Sequence, residues 1–244
     1  MNSQFEMWME EELEELGLSL SDKQIEQFYM YYELLIKWNE VMNLTAITEM
    51  EQVVTKHFVD SLSLIKSVPD LAEKPYRILD LGTGAGFPGI PLKIAFPNLK
   101  LTLLDSLNKR IKFLNEVIIT ELQLQDIKAV HGRAEDFGRN KDYREQYDLC
   151  VSRAVANMST LAEYCVPFVK TGGYFIPYKS GRIEDELTQA KGAVKLLGGK
   201  LEDVVSFQLP KTEGERTLVK IAKVENTSKK YPRKAGLPGK EPLK

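Results

Sequence analysis

Three alternating glycines make one short segment the best candidate in this sequence for binding a cofactor. Gly82, Gly84 and Gly86 follow a short, mostly apolar strand predicted at 77–81, and a pattern typical of a helix follows the glycines. Because glycine has no Cβ, the backbone there can approach a ligand closely. The helix start adds N–H groups that have no partner within the helix. The segment therefore predicts a site for a nucleotide-like cofactor.

Two residues that flank the glycines, one on each side, distinguish between the candidate cofactors. Residues 84–89 satisfy the dinucleotide pattern G-x-G-x-x-G literally, although this short pattern alone is weakly specific. Asp80 stands two residues before Gly82, a frame that suits the amino-acid part of S-adenosylmethionine. Pro88 removes an N–H group that a pyrophosphate would need. S-adenosylmethionine is therefore predicted as the cofactor, with Gly82 and Gly84 among the residues that bind it.

Two more segments are expected to contact this cofactor. Asp105 ends the second predicted strand, where an acidic side chain can accept hydrogen bonds from ribose hydroxyls. The alternative is an acid that interacts with the dipole of the next helix, for which Asn108 is the predicted N-cap. Ala134 and Glu135 follow the third predicted strand, where an N–H group and a carboxylate could contact the adenine edge. A plain surface turn is the alternative there.

Arg153 follows the fourth predicted strand, whose carboxyl end points into the same site. The segment lacks the Asn/Asp-Pro-Pro-aromatic sequence typical of amino-group methyltransferases, and Cys150 lies two residues too early to be a nucleophile. No histidine or carboxylate is placed as a general base. An acceptor with a free lone pair, such as guanine N7, needs none, and catalysis would then consist mainly of orientation.

Arg153 is therefore the predicted catalytic residue. Its guanidinium could hold the cofactor carboxylate or guanine O6, and its replacement by alanine is predicted to lower methylation far more than stability. An arginine paired with a buried acid is the alternative.

Alternating strand and helix patterns from residue 77 onward would position these side chains. Residues 99–104 are mostly apolar, which indicates a sheet covered on both faces, and the alternation of strands and helices predicts a doubly wound parallel sheet. The last two strands are joined by a short connection, which favours an antiparallel pair. The predicted strands are 77–81, 100–105, 127–131, 147–152, 173–178, 202–207 and 217–224, and the predicted helices between them are 88–96, 108–122, 157–169 and 182–197.

The predicted fold is a class I, Rossmann-like S-adenosylmethionine-dependent methyltransferase with a seven-stranded, mostly parallel sheet and an N-terminal helical extension. We divide the chain into a helical region at 1–70, a methyltransferase domain at 71–225 and a basic tail at 226–244. The helical region contains a capping-box start at 21–24. The tail is expected to be extended, and its cations are a candidate phosphate clamp, with a merely solvated tail as the alternative: Lys229, Lys230, Arg233 and Lys234.

Composition narrows the class of protein. Hydrophobic residues make up 43% and charged residues 28% of the chain, as in ordinary globular proteins. No apolar run approaches the length of a membrane span, the acidic start is unlike a signal peptide, and the two cysteines match no metal or redox spacing. A cytoplasmic monomer with no membrane or metal partner is expected. The net charge of −2 argues against nucleic-acid binding by bulk charge but leaves room for a local basic patch.

Together these motifs resemble one family over residues 30–244, the bacterial guanine-N7 methyltransferases of small-subunit ribosomal RNA, also called glucose-inhibited division protein B. Glycines alone would be unspecific, but Gly-Phe-Pro-Gly combined with Arg-Ala-Glu and Arg-Ala-Val-Ala is specific. The matching segments are Trp38-Asn39, Asn43 to Thr45, His57, Asp60 to Leu62, Asp80 to Gly89, Asp105 to Arg110, Arg133 to Glu135, Ser152 to Ala156 and Tyr231 to Lys234.

The resemblance implies transfer of a methyl group from S-adenosylmethionine to N7 of one guanine of 16S rRNA, guanine 527 in customary numbering. The implied partner is 16S rRNA or the 30S subunit. The cofactor contacts it implies fall on Gly82, Phe87, Ala134, Glu135 and Arg153, while Asp105 comes from the ribose argument above. Two other functions stay open: a ribosome-binding protein that uses the cofactor only as a ligand, and an NAD-dependent oxidoreductase, for which a convincing catalytic His, Lys or Tyr pair is lacking.

Overall fold

A seven-stranded sheet forms the centre of the computed structural model, which describes residues 2–154 and 156–244. Val155, part of the motif after the fourth strand, lies outside the described residues. The strands are β1 Arg77–Leu81, β2 Lys100–Asp105, β3 Ile127–His131, β4 Tyr147–Ser152, β5 Val169–Ser180, β6 Gly199–Gln208 and β7 Glu215–Lys223. Their order in the sheet is β3-β2-β1-β4-β5-β7-β6.

All strand pairs among β1 to β5 are parallel, whereas β7 runs antiparallel to both β5 and β6. This confirms the predicted seven-stranded, mostly parallel sheet with an antiparallel pair at its end. The strand order reverses between β1 and β4, and ligands of such sheets bind at the carboxyl ends of the strands beside that point. The glycine loop after β1 and Arg153 after β4 meet there.

Helices cover both faces of the sheet. On the N-terminal side these are α1 Ser3–Glu14, α2 Asp22–Met42 and α3, which covers 50–66 and is π-helical over Val54–Val59. They are followed by α4 Gly89–Ala95, α5 (Asn108–Phe113 and the π-helical Leu114–Ile119) and α6 Ala134–Phe137. The last ones are α7 (Met158–Cys165 and the 3-10 turn Val166–Phe168), α8 Glu184–Leu196 and the short α9 Leu237–Lys240.

Side chains that alternate along the strands divide the core in two. Ile78 of β1 packs with α2 to α5 in one cluster, while Leu79 packs with α7 and α8 in the other. The first cluster extends from Phe5 of α1 to Tyr178 of β5 without interruption. Each such buried side chain contributes about 1.5–3 kcal/mol. The N-terminal helices therefore share a core with the sheet, and the boundary at residue 70 stays a prediction.

Three local predictions differ from the structure. Asn108 is the first residue of α5 and Leu107 is the N-cap, because the carboxylate of Asp105 accepts the Leu107 N–H at 2.9 Å and fixes the turn there. The helix predicted over 157–169 ends earlier, since β5 already begins at Val169. The tail predicted as extended contains the four-residue helix α9.

At the start of α2, the predicted capping box is present, with Ser21 as the N-cap and Gln24 accepting the Ser21 N–H at 2.9 Å. Cys150 and Cys165 are buried free thiols. Within residues 2–154 and 156–244, no helix has the length and apolar character that crossing a bilayer requires. The same residues contain no group of three His, Cys, Asp or Glu side chains that could hold a metal ion.

Candidate active site

The glycine loop between β1 and α4 has one open side and one packed side. Gly82, Gly84 and Gly86 have φ angles of 73°, 61° and 112°, in the region that favours glycine. A Cβ placed on Gly84 would meet no atom within 4 Å, whereas a Cβ on Gly86 would lie 2.8 Å from the hydroxyl of Tyr31. The space beside Gly84 is therefore where a ligand can approach the backbone.

Asp80 ties this loop to the start of α4. Its carboxylate is fully buried, and Oδ2 accepts the Thr83 hydroxyl at 2.6 Å and the Gly89 N–H at 2.9 Å. Oδ1 has no hydrogen-bond partner among the described residues. Burial raises the pKa of Asp80 to about 7, against the lowering effect of these two hydrogen bonds. The acid therefore lies beneath the loop and can change charge near neutral pH.

Binding of a cationic cofactor is expected to depend on this titration. S-adenosylmethionine carries a sulfonium and an ammonium group, so its binding should favour ionised Asp80, lower the pKa and release a proton. Affinity should rise with pH toward 7 and level off above it, with a limiting slope of about tenfold per pH unit below 7. Calorimetry between pH 6 and 8, in buffers of different ionisation enthalpy, measures both affinity and proton release.

The control for this prediction is Asp80→Asn, which should bind with a flat pH profile, while Asp142→Asn at an exposed position should keep the wild-type profile. Affinity that is independent of pH in the wild type, with no proton released, would contradict the prediction.

Asp105 and Glu135, predicted to contact the cofactor, lie at the same edge of the sheet. Asp105 Oδ2 accepts the Gly84 N–H at 2.9 Å and lies 3.3 Å from Arg110 Nη1, so it already braces the glycine loop. β3 lies beside β2, which brings 134–135 to this edge. Glu135 is buried and its Oε1 accepts the N–H of Gly236 at 2.8 Å. Their contacts with ribose and adenine stay predictions, since both carboxylates also serve the protein.

Arg153 is the centre of a hydrogen-bond network that joins β4 to α3. Its Nη1 lies 3.3 Å from Asp60 Oδ2 and donates to the carbonyl of His57 and the hydroxyl of Ser61 at 3.1 and 2.9 Å. Its Nη2 donates to the carbonyl of Lys56 at 3.0 Å. The arginine is therefore paired with a buried acid, the alternative that the sequence left open, and its catalytic role stays a prediction.

His57 is held as a neutral ring beside this arginine. Burial and the charge of Arg153 lower its pKa to about 3. Its Nδ1 lies 3.4 Å from Nη2 of Arg153, and its Nε2 lies 2.8 Å from the hydroxyl of Thr45. Because a guanidinium only donates, Nδ1 must accept and Nε2 carries the hydrogen. A neutral, hydrogen-bonded imidazole at this position makes His57 a structural part of the site.

Phe87 of the glycine loop is enclosed by residues from three other segments. The His57 ring stacks on it with centroids 4.5 Å apart and the rings inclined by 18°. The Tyr31 ring lies at 5.4 Å, and the Arg153 guanidinium lies 5.6 Å from the Phe87 centroid. The predicted cofactor residues Phe87 and Arg153 are thus in contact with each other and with the helical region.

A pocket of about 470 Å³ opens beside Arg153, at the carboxyl ends of β4 and β5. Asp60 pairs with two arginines of the pocket. Its Oδ1 accepts a hydrogen bond from Arg216 Nε at 3.0 Å, and its Oδ2 forms an ion pair with Arg153. Lys179 pairs with Glu186 at 2.6 Å. The pocket is lined by Asp60, Arg153, Ala154, Ala156, Asn157, Tyr178, Lys179, Ser180, Glu186 and Arg216.

Sequence reasoning from single motifs missed Asp60, Tyr178 and Arg216 in this pocket. Asp60 stands in the segment 60–62 that carries the family resemblance, so that segment held a usable signal. Arg216 lies at the start of β7, and no local pattern distinguishes it from other strand-end cations. It faces the pocket because β7 enters the sheet beside β5 with Arg216 opposite Ser180.

The tail docks on the edge formed by α6 and α7. Arg233 of the candidate phosphate clamp donates to the fully buried carboxylate of Glu163, with Nη2 to Oε2 at 2.7 Å. Without Arg233, the buried carboxylate of Glu163 would have no compensating charge. Arg233 therefore has a structural role in this arrangement. Lys229, Lys230 and Lys234 are exposed, so only these lysines of the clamp remain available to phosphate.

Comparisons with known proteins show the family of the chain. Residues 24–219 match the family described as rRNA small subunit methyltransferase G. The chain is 59% identical over 231 residues to the ribosomal RNA small subunit methyltransferase G of Lachnoclostridium phytofermentans, covering 95% of this chain and 94% of the relative. It is 50% identical to the protein of the same name from Alkaliphilus metalliredigens, covering 98% of both chains.

Among solved structures, the fold resembles M. jannaschii TYW2 in complex with AdoMet, with a TM-score of 0.52 and 16% identity over 68% of this chain and 77% of that one. At this identity the likeness supports the fold alone. The predicted class I fold and the family resemblance are both confirmed.

Proposed function

The chain belongs to the rRNA small subunit methyltransferase G family, and we propose that it transfers a methyl group from S-adenosylmethionine to N7 of one guanine in the 16S RNA of the small ribosomal subunit. The family makes it an S-adenosylmethionine-dependent methyltransferase that acts on small-subunit rRNA. The position of the methyl group, the choice of one guanine and action in the cytoplasm are parts of the proposal.

The observation that carries the cofactor assignment is the open side of the glycine loop. Positive φ angles and the empty space beside Gly84 form a cradle that a Cβ would fill. The carboxylates of Asp80 and Asp105 lie under and beside the loop, which suits a ligand with positive charge and ribose hydroxyls. When bound, S-adenosylmethionine supplies an electrophilic methyl group.

The pocket beside the loop supports an acceptor that needs no deprotonation. Of the described residues that line it, the two carboxylates are already engaged, Asp60 by two arginines and Glu186 by Lys179. His57, behind Arg153, is neutral but keeps both ring nitrogens in hydrogen bonds. A general base is therefore not provided, which agrees with attack by the free lone pair of guanine N7. The residues contribute orientation of the acceptor.

The test is methylation in vitro of purified 30S subunits and of free 16S rRNA, with the modified base identified. We expect N7-methylguanosine at one position. Calorimetry should show binding of S-adenosylhomocysteine and none of NAD, and the reverse result would refute the cofactor assignment.

A matching experiment compares the N7-methylguanosine content of 16S rRNA from cells with and without the gene. An unchanged map in the deletion strain would favour the non-enzymatic, ribosome-binding role instead.

A further inference from the structure

The tip of the glycine loop is held by a residue from the N-terminal helices. The hydroxyl of Tyr31, on α2, donates a hydrogen bond to the carbonyl of Ala85 at 2.7 Å, and both residues are buried. Burial raises the pKa of Tyr31 well above its usual range, so the phenol keeps its proton and remains a donor. The two residues are 54 positions apart in the chain, so the contact depends entirely on the packing of α2 against the loop.

Tyr31 also lies close to the two residues that follow Ala85 in the loop. The Tyr31 ring lies 5.4 Å from the Phe87 ring, and its hydroxyl would lie 2.8 Å from a Cβ on Gly86. Tyr31 is the only hydrogen-bond donor to the Ala85 carbonyl among the described residues. Without the Tyr31 hydroxyl, the Ala85 carbonyl would be buried with no hydrogen-bond donor, which costs free energy. The loop could avoid this cost by changing its conformation.

We propose that Tyr31 is a positioning residue that keeps residues 84–87 in the conformation that binds the cofactor. The inference rests on the proposed function, because it takes this loop as the S-adenosylmethionine site. When the hydroxyl is removed, conformations that expose the Ala85 carbonyl to water gain population. The apparent dissociation constant then rises by the factor by which the competent fraction falls.

The test compares Tyr31→Phe with Tyr32→Phe. Both changes remove one hydroxyl from the same helix, but the Tyr32 hydroxyl is exposed and lies 3.4 Å from the Thr48 carbonyl, away from the loop. Calorimetry should show that Tyr31→Phe binds S-adenosylhomocysteine about tenfold more weakly, equivalent to about 1.4 kcal/mol, while Tyr32→Phe binds as the wild type does. The KM for S-adenosylmethionine should rise by a similar factor, with kcat at saturation unchanged.

Hydrogen exchange of the ligand-free protein gives a second readout. The N–H groups of Gly86 and Phe87 donate to the Thr83 carbonyl at 2.9 and 3.0 Å, and both should exchange faster in Tyr31→Phe. A lower melting temperature with unchanged affinity and unchanged exchange would overturn the proposal, since the hydroxyl would then only stabilise the fold. If the wild type itself failed to bind S-adenosylhomocysteine, the proposed function would fail first, and the two failures are therefore distinguishable.

Discussion

Replacing Gly84 by valine is expected to abolish the binding of S-adenosylhomocysteine while the fold persists. The new side chain would project into the space that is empty within 4 Å of the Cβ position, which is the proposed path of the cofactor. The valine side chain would occupy space that the ligand needs. Affinity should therefore fall about 100-fold or more, as expected from roughly 3 kcal/mol of steric conflict. Calorimetry measures the affinity, and thermal unfolding measures the stability.

Backbone strain must be separated from this steric effect. Gly84 has a φ of 61°, where a side chain costs about 1–2 kcal/mol. Gly17 is the matched control, because its φ is 66°, a Cβ there also meets no atom within 4 Å, and it lies in the turn after α1. Gly17→Val should lose similar stability yet bind normally. Normal binding by Gly84→Val would refute the assignment of the loop.

Replacing Arg153 by alanine is expected to have the second largest effect, on both activity and stability. The sequence alone predicted a selective loss of methylation. The structure adds that Arg153 joins β4 to Asp60, Ser61 and the Lys56 carbonyl, so its loss should cost about 3 kcal/mol. Because the neighbouring Phe87 and the pocket beside Arg153 would shift as well, methylation should fall about 100-fold or more.

Arg216→Ala separates the two effects, since Arg216 is the other partner of Asp60 and does not touch Phe87. It should reduce stability but leave the affinity for S-adenosylhomocysteine unchanged, whereas Arg153→Ala should lower that affinity too. Equal affinities for the two variants and the wild type would show that Arg153 plays no part in holding the cofactor. The measurements are melting temperature, calorimetric affinity and the rate of methylation of 30S subunits.

The sequence by itself determined the fold class and the cofactor, and it predicted the loop that would bind this cofactor. These depend on local patterns: glycines at alternate positions, the apolar alternation of strands and helices, and the acid before Gly82. Backbone conformation and burial follow from such short-range patterns, so the order of the strands from β1 to β7 could be predicted, although the short helix α6 was not. Even the small error at Asn108 arose where a residue outside the helix, Asp105, fixed its start.

Only the tertiary structure decided which side chains contact one another at the predicted site. Arg153 uses its donors on residues more than 90 positions earlier in the chain, Tyr31 reaches Ala85, and the tail residue Gly236 reaches Glu135. A cation, a phenol or an acid looks the same in sequence whether it faces a ligand or a buried partner. The choice depends on which donor and acceptor the packed chain brings within about 3 Å of each other, and no local pattern contains that distance.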